Sequence, residues 1–270
     1  MMGTRMFEFD VALSASGFLV GLLIGLTGVG GGAVMTPLLI LLFGVRPTMA
    51  VGTDLAYATI TKIFGSAAYI RRGQVNFPYI RWLVVGSVPG ALVAVFVLTP
   101  WLDRSGVDVE TMTTRMLGWM LLAVGVISIL ERRFFEGALR DSAIIRSHAV
   151  QRRFKEPILV IGGLLIGVGV GLTSVGSGSL LMAVLLLVSE LNILVLIGTD
   201  IVHATILLAT AGCAHLIQGN VDIGLAAALL VGSIPGIWAG SRLAQVVPTT
   251  PLRYALAVLL AATGFKLAFF

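Results

Sequence analysis

Long apolar runs, rather than alternating positions, dominate the pattern of this chain. They cover residues 17–44, 48–70, 77–98 and 114–130, and again 158–189, 193–216, 223–246 and 251–269. Most match or exceed the ~20 residues that carry a helix across a bilayer. Lipid offers the backbone no hydrogen-bond partner, so a span is either a helix or a strand of a closed barrel. Continuous hydrophobicity selects the helix. The pattern therefore predicts an all-α polytopic integral membrane protein. Composition agrees: 57% of residues are hydrophobic, 11% are charged and the mean hydropathy is +1.03, whereas a soluble domain is about a quarter charged.

The pattern also repeats. "GLTGVGGG" (Gly25–Gly32) returns as "GLTSVGSG" (Gly171–Gly178), an offset of 146 residues (171 − 25). The same offset lays Gly52-Thr53-Asp54 on Gly198-Thr199-Asp200, Gly73 on Gly219, and "GSVPG" (Gly86–Gly90) on "GSIPG" (Gly232–Gly236). No gap is needed, and about a third of positions from 25 to 90 are identical. A register held across four motifs predicts two homologous repeats, residues 1–130 and 157–270, joined by a basic linker at 131–156.

Charge assigns the sides. The linker carries Arg132, Arg133, Arg140, Arg146, Arg152, Arg153 and Lys155, which the positive-inside rule makes cytoplasmic. Counting spans back places Arg71-Arg72 inside and the loop with Asp103, Asp108 and Glu110 outside. The net charge of +5 then belongs to cytoplasmic loops next to lipid, and no nucleic-acid partner is expected. The lone Cys213 permits no disulfide within the chain and reads as a small packing residue. Glu8 and Asp10 interrupt any signal-peptide design, so the N-terminus reads as retained.

The first segment of each half leaves two topologies open. Residues 17–44 either form one long kinked span, giving four crossings per half and parallel halves, or break at Gly28–Gly32 into two half-helices of about 11 residues, each about 16 Å long. A broken pair dips to mid-membrane and returns, leaving three crossings per half and inverted halves. The loop "RRGQVN" is basic while its counterpart "IQGNVD" lacks both arginines, which favours inversion.

Candidate chemistry clusters at the repeated motifs. Gly28, Gly30 and Ala33 fit a loose dinucleotide pattern, but no strand or soluble α/β unit surrounds them. Gly17, Gly21 and Gly25, and Gly163, Gly167 and Gly171, are four apart and suit close helix packing. Gly28, Gly30, Gly31 and Gly32 are denser than packing requires and costly in a helix, so they read as a break. So do Ser174, Gly176, Ser177, Gly178 and Ser179, whose serines add hydroxyl donors. A helix that restarts at mid-membrane presents free N–H groups and partial positive charge, which suit an anion; the other reading is a kink without a ligand. Thr53 and Thr199 join this candidate anion site, and the alternative for them is helix capping.

Asp54 and Asp200 are intramembrane carboxylates and functional candidates by default. His203 lies on the same helix face as Asp200, and with His215 it makes a candidate proton path; both replace tyrosines, Tyr57 and Tyr69. Lys62, opposite Leu208, is a candidate substrate contact. Arg46, Arg81 and Arg242 lie near span ends, where arginine side chains snorkel to the interface. Pro89 and Pro235 lie within spans, as fixed kinks or as hinges for alternating access. No phosphate-binding G-x-x-x-x-G-K-[ST] loop and no Cys/His metal cluster is present, so neither an ATPase, a metal site nor another cofactor is expected. Only Asp200 and His203 approach a catalytic arrangement, without a partnered nucleophile, and the chain is not expected to be an enzyme.

"GLTGVGGGAVMTPLLILLFG", "AVGTDLAYA", "RRGQVNF" and "GSVPGALVA", with their second-half copies, resemble the sulfite exporter TauE/SafE family, also called the toluene-sulfonate-uptake group. The resemblance covers nearly the whole chain. It implies a multi-pass protein of the bacterial inner membrane. Its implied function is secondary transport, as an exporter, of small sulfur-containing anions such as sulfite or sulfoacetate, coupled to protons. A passive anion channel built on the same broken helices is the alternative. Asp after Gly-Thr, and serines in the second glycine run, depart from the family pattern and leave the substrate open.

Overall fold

Apolar runs punctuated by glycine and proline give helices with short connections in the computed structural model, which describes residues 11–27, 32–138, 151–189, 191–244, 246–247 and 249–269. The first half holds α1 (Val11–Thr27), α2 (Gly32–Leu41), α3 (Pro47–Arg71) and α4 (Phe77–Val93), which continues through a π-helical turn (Ala94–Leu98) into α5 (Thr99–Arg104), and α6 (Val109–Ala138). The second half holds α7 (Gln151–Thr173), α8 (Ser179–Val188), α9 (Ile193–Ile217), α10 (Ile223–Leu243) and α11 (Thr249–Phe269). No strand occurs among the described residues. Among the described residues, five stretches are long and apolar enough to cross a membrane: Phe77–Arg104, Val109–Ile129, Lys155–Thr173, Ile193–Ile217 and Ile223–Leu243. α3 is as long as α9, 25 residues each, or about 38 Å at 1.5 Å per residue, but it carries Asp54 and Lys62. The molecule is a polytopic helical membrane protein.

Two helix pairs start at the same 146-residue offset: α3 and α9 begin at 47 and 193, α4 and α10 at 77 and 223. Contacts give the helix directions. A Cβ on Gly17, Gly21 or Gly25 would lie 2.5 Å from the carbonyl of Leu229, Ser233 or Ile237 respectively. The numbers rise together, so α1 runs parallel to α10. Gly163, Gly167 and Gly171 meet Leu83, Ser87 and Ala91 in the same way, so α7 runs parallel to α4. Gly198 meets Tyr69, Gly65 meets Ile201 and Gly212 meets Leu55; here the numbers run opposite, and α3 is antiparallel to α9. Gly118 and Gly125 against Ala268 and Ala257 make α6 and α11 antiparallel too.

Glycine is required at these crossings because backbone meets backbone. The "GS-x-PG" glycines form the other side of the same contacts. Gly86 and Gly90 pack on the carbonyls of Val160 and Leu164, and Gly232 and Gly236 on those of Ser14 and Phe18. Pro89 and Pro235 lie inside α4 and α10 without ending them.

α7 and α9 both run parallel to α4, the latter through the contacts Thr199–Asn76 and His203–Ser87. The short α8 between them returns the chain to the side where α7 began. The end where α7 and α9 start gathers Arg71, Arg72, Arg81, Lys155 and Arg242, with Glu156; the opposite end mixes Asp103, Asp108, Glu110 and Asp222 with Arg46, Arg104 and Arg115. A buried apolar core that includes Met35, Leu55, Tyr57, Leu181 and Leu207 joins α2, α3, α8 and α9. Phe64, Leu165, Trp101, Trp119 and Trp238 are exposed, as lipid-facing side chains are.

Candidate substrate and ion site

The break expected in the second half lies between α7 and α8. Ser174 has φ 62° and Gly176 φ 102°; left-handed backbone at a non-glycine residue is strained and marks a constrained position. α8 then starts at Ser179, with the Met182 N–H donating to the Gly178 carbonyl at 2.8 Å. In the first half α1 stops at Thr27 and α2 starts at Gly32. Gly28, Gly30 and Gly31 lie outside the described residues.

Asp54 is fully buried on α3 and joins α2 to the break after α7. Its Oδ2 accepts from the Thr36 hydroxyl on α2 at 2.7 Å and from the Ser174 hydroxyl at 2.7 Å. Its Oδ1 has no partner among the described residues. Gly32 lies against this cluster. A Cβ there would stand 2.5 Å from the Ser174 carbonyl oxygen, 3.0 Å from Asp54 Oδ2 and 3.1 Å from Ser174 Oγ. The equivalent Gly178 has open space around it.

Two turns further along α3, the half-buried Lys62 ammonium donates to Ser177 Oγ at 3.3 Å, just ahead of the α8 N-terminus. Its charge interacts with Asp200 and, more weakly, with Asp54. Asp200 Oδ1 has no partner among the described residues. Lys62, Ser177, Gly178 and Ser179 thus bring an ammonium, a hydroxyl and the start of a helix to one place.

His203 shares a face with Asp200, as its spacing predicts, but its Nε2 lies 2.8 Å from Ser87 Oγ on α4. His215 Nε2 donates to the Gly171 carbonyl at 2.8 Å; a carbonyl can only accept, so this nitrogen carries the proton. Both Nδ1 atoms lack partners among the described residues.

The threonines of the Gly-Thr-Asp motifs serve the capping alternative. Thr53 Oγ1 accepts from the Asp222 N–H at 3.0 Å and Thr199 Oγ1 from the Asn76 N–H at 2.9 Å. Asp222 and Asn76 in turn cap α10 and α4. Gly52 and Gly198 press on the carbonyls of Asn220 and Gln74. Each motif therefore holds the loop that starts a long helix of the other half.

Thr36 and Ser87 are polar partners not singled out in the sequence. Thr36 stands opposite Met182, and a search for hydroxyls present in one half only would have found it. Ser87 was hidden in a motif noticed for its glycines and proline. No group of three or more His, Cys, Asp or Glu able to hold a metal occurs among the described residues.

A family model described as sulfite exporter TauE/SafE matches residues 13–267. The chain is 39% identical to the probable membrane transporter protein YjnA of Bacillus subtilis (strain 168), covering 96% of this chain and 99% of that protein. It is 26% identical to the probable membrane transporter protein YdhB of the same organism, over 93% and 97% of the two chains. No solved structure matches the chain.

Proposed function

Because the chain belongs to the sulfite exporter TauE/SafE family, we propose that this membrane transporter is a secondary carrier that exports a small sulfur oxyanion, sulfite or an organosulfonate, across the bacterial inner membrane. One observation carries the reading: the Lys62 ammonium meets the Ser177 hydroxyl at the head of α8, beside the open space at Gly178. A tetrahedral or pyramidal oxyanion takes hydrogen bonds from several directions. Ammonium, hydroxyl and free helix N–H groups supply them, and the charge-assisted ones are the stronger. Asp200, whose charge interacts with that of Lys62, is the acid best placed to take up a proton when an anion occupies Lys62.

The proposed movement is alternating access between inverted halves. Equivalent helices α3 and α9 run antiparallel, and each half contributes a broken helix to the centre, the arrangement that lets one site face two sides in turn. The basic end of the molecule is the cytoplasmic one in this reading.

The test is a thermal-stability screen of the purified protein against sulfite, sulfate, sulfoacetate, taurine and thiosulfate, followed by flux in proteoliposomes. Ligand that binds only the native state raises the unfolding temperature with its concentration. Stabilisation and flux by a sulfur oxyanion, both lost in Lys62→Met, are expected. Absence of both across the panel overturns the reading, and macroscopic anion current replaces it with a passive channel.

A further inference from the structure

We infer that the Asp54 cluster is a binding site for a sodium ion. Its role as the coupling ion rests on the carrier reading above, but the site itself rests on geometry.

The observations start from the carboxylate. Asp54 is completely buried, two hydroxyls converge on Oδ2, and Oδ1 has no partner among the described residues. A buried anionic oxygen without a partner is expensive unless something positive meets it. The surroundings determine what fits. The Ser174 carbonyl, Ser174 Oγ and Asp54 Oδ2 all lie within 3.1 Å of the point where a Gly32 Cβ would stand, and Thr36 Oγ1 is 2.7 Å from Oδ2. With Oδ1 this gathers five oxygens from three side chains and one carbonyl. A proton requires one oxygen; several hard oxygens around one charge suit a hard metal cation. A single carboxylate with neutral partners suits a monovalent ion. Each hydroxyl keeps lone pairs available while it donates to Asp54, so it can ligate an ion without giving up that bond.

Backbone and charge agree. Ser174 is held at φ 62°, which leaves its carbonyl outside any helix ladder, and unwound carbonyls at a broken helix are sodium ligands in transporters. When both buried carboxylates are ionised, the single ammonium leaves the centre one negative charge in excess before any anion arrives. A sodium ion on Asp54 removes that excess and leaves the charge of Lys62 to the anion. The site is also one-sided. At the 146-residue offset Thr36 becomes Met182 and Ser174 becomes Gly28, so Asp200 has neither hydroxyl.

The experiment is thermal unfolding of the purified full-length protein at fixed pH and ionic strength, exchanging choline chloride for sodium or potassium chloride without any anion substrate. Saturable stabilisation by sodium alone is expected. It is absent in Asp54→Asn, kept in Asp200→Asn, weakened about tenfold or more in half-saturating concentration in Thr36→Val, and restored by Thr36→Ser, a pair that keeps the test valid should Asp54→Asn fail to fold. Equal stabilisation by sodium, potassium and choline, a response to pH alone, or a sodium response unchanged in Thr36→Val overturns the proposal. Sodium-specific stabilisation without anion flux upholds the site and overturns the carrier reading instead.

Discussion

Asp54 and Asp200 occupy equivalent places in two equivalent helices, yet their surroundings differ. Around each, the scaffold is the same. A glycine two residues earlier presses on a loop carbonyl, and a threonine one residue earlier accepts from the loop N–H. Only then do the two diverge. Asp54 collects the hydroxyls of Thr36 and Ser174, while Asp200 interacts through its charge with Lys62. At the 146-residue offset the contacts that hold helices together match, and those made by the two acids differ. A symmetric frame with unlike acids can give two ions separate tasks.

The contrast can be broken most forcefully at Lys62. Removing one member of a buried charge group costs about 2–5 kcal/mol, or roughly 30-fold and more in a rate or affinity. Lys62→Met is therefore expected to lower anion flux by at least about 30-fold. Moving the lysine across, in Lys62→Leu with Leu208→Lys, is expected to leave flux low, because the position equivalent to Ser177 is Gly31 and offers no hydroxyl. Recovered flux in that double variant would show the halves to be functionally interchangeable.

The scaffold comes next. A methyl group at Gly52 or Gly198 runs into backbone, not into a flexible side chain. Each alanine variant is expected to lose about 3 kcal/mol, and thermal unfolding should give the same loss for both. Asp54→Asn follows at about 2 kcal/mol, since two buried hydroxyls lose an ionic acceptor; Asp200→Asn, with no hydroxyl donor on it among the described residues, is expected to lose less. Equal losses for the two acids would contradict the contrast. The smallest effect belongs to Thr53→Val and Thr199→Val, about 1 kcal/mol each for one capping bond, with the half-saturating concentration of anion unchanged.

Much of the frame was legible because its causes are local. Apolar length gave the helices, and glycines four apart gave the faces where α1 meets α10 and α7 meets α4. The break before α8 was readable from Ser174 to Gly178, where residues poor at helix formation crowd together. What escaped depends on partners distant in the chain. Thr53 is a candidate ligand by its motif alone, and nothing near it in the chain announces that its hydroxyl accepts from a loop 169 residues away. His203 was paired with Asp200 by spacing, although Ser87, 116 residues away, holds its ring. A helix-face argument places two side chains on one side but does not say which neighbour each will choose. Thr36 was missed for the same reason: an isolated threonine in an apolar helix gives no sign until the carboxylate beside it is known.

The parallel pairings α1–α10 and α4–α7 bear on the order in which the molecule is assembled. The glycine face of each half's first helix is covered only by the other half. α1 ends at residue 27 and its partner α10 at residue 243. At ribosomal speeds of about 5–20 residues per second, the 216 residues between (243 − 27) take roughly 10–40 seconds to appear. Throughout that interval a narrow glycine stripe lies open in the bilayer. The nascent first half is thus a waiting structure, completed only when the late helices insert beside it, and a ribosome that stalls between α4 and α10 leaves an unclasped half for the cell to shelter or destroy.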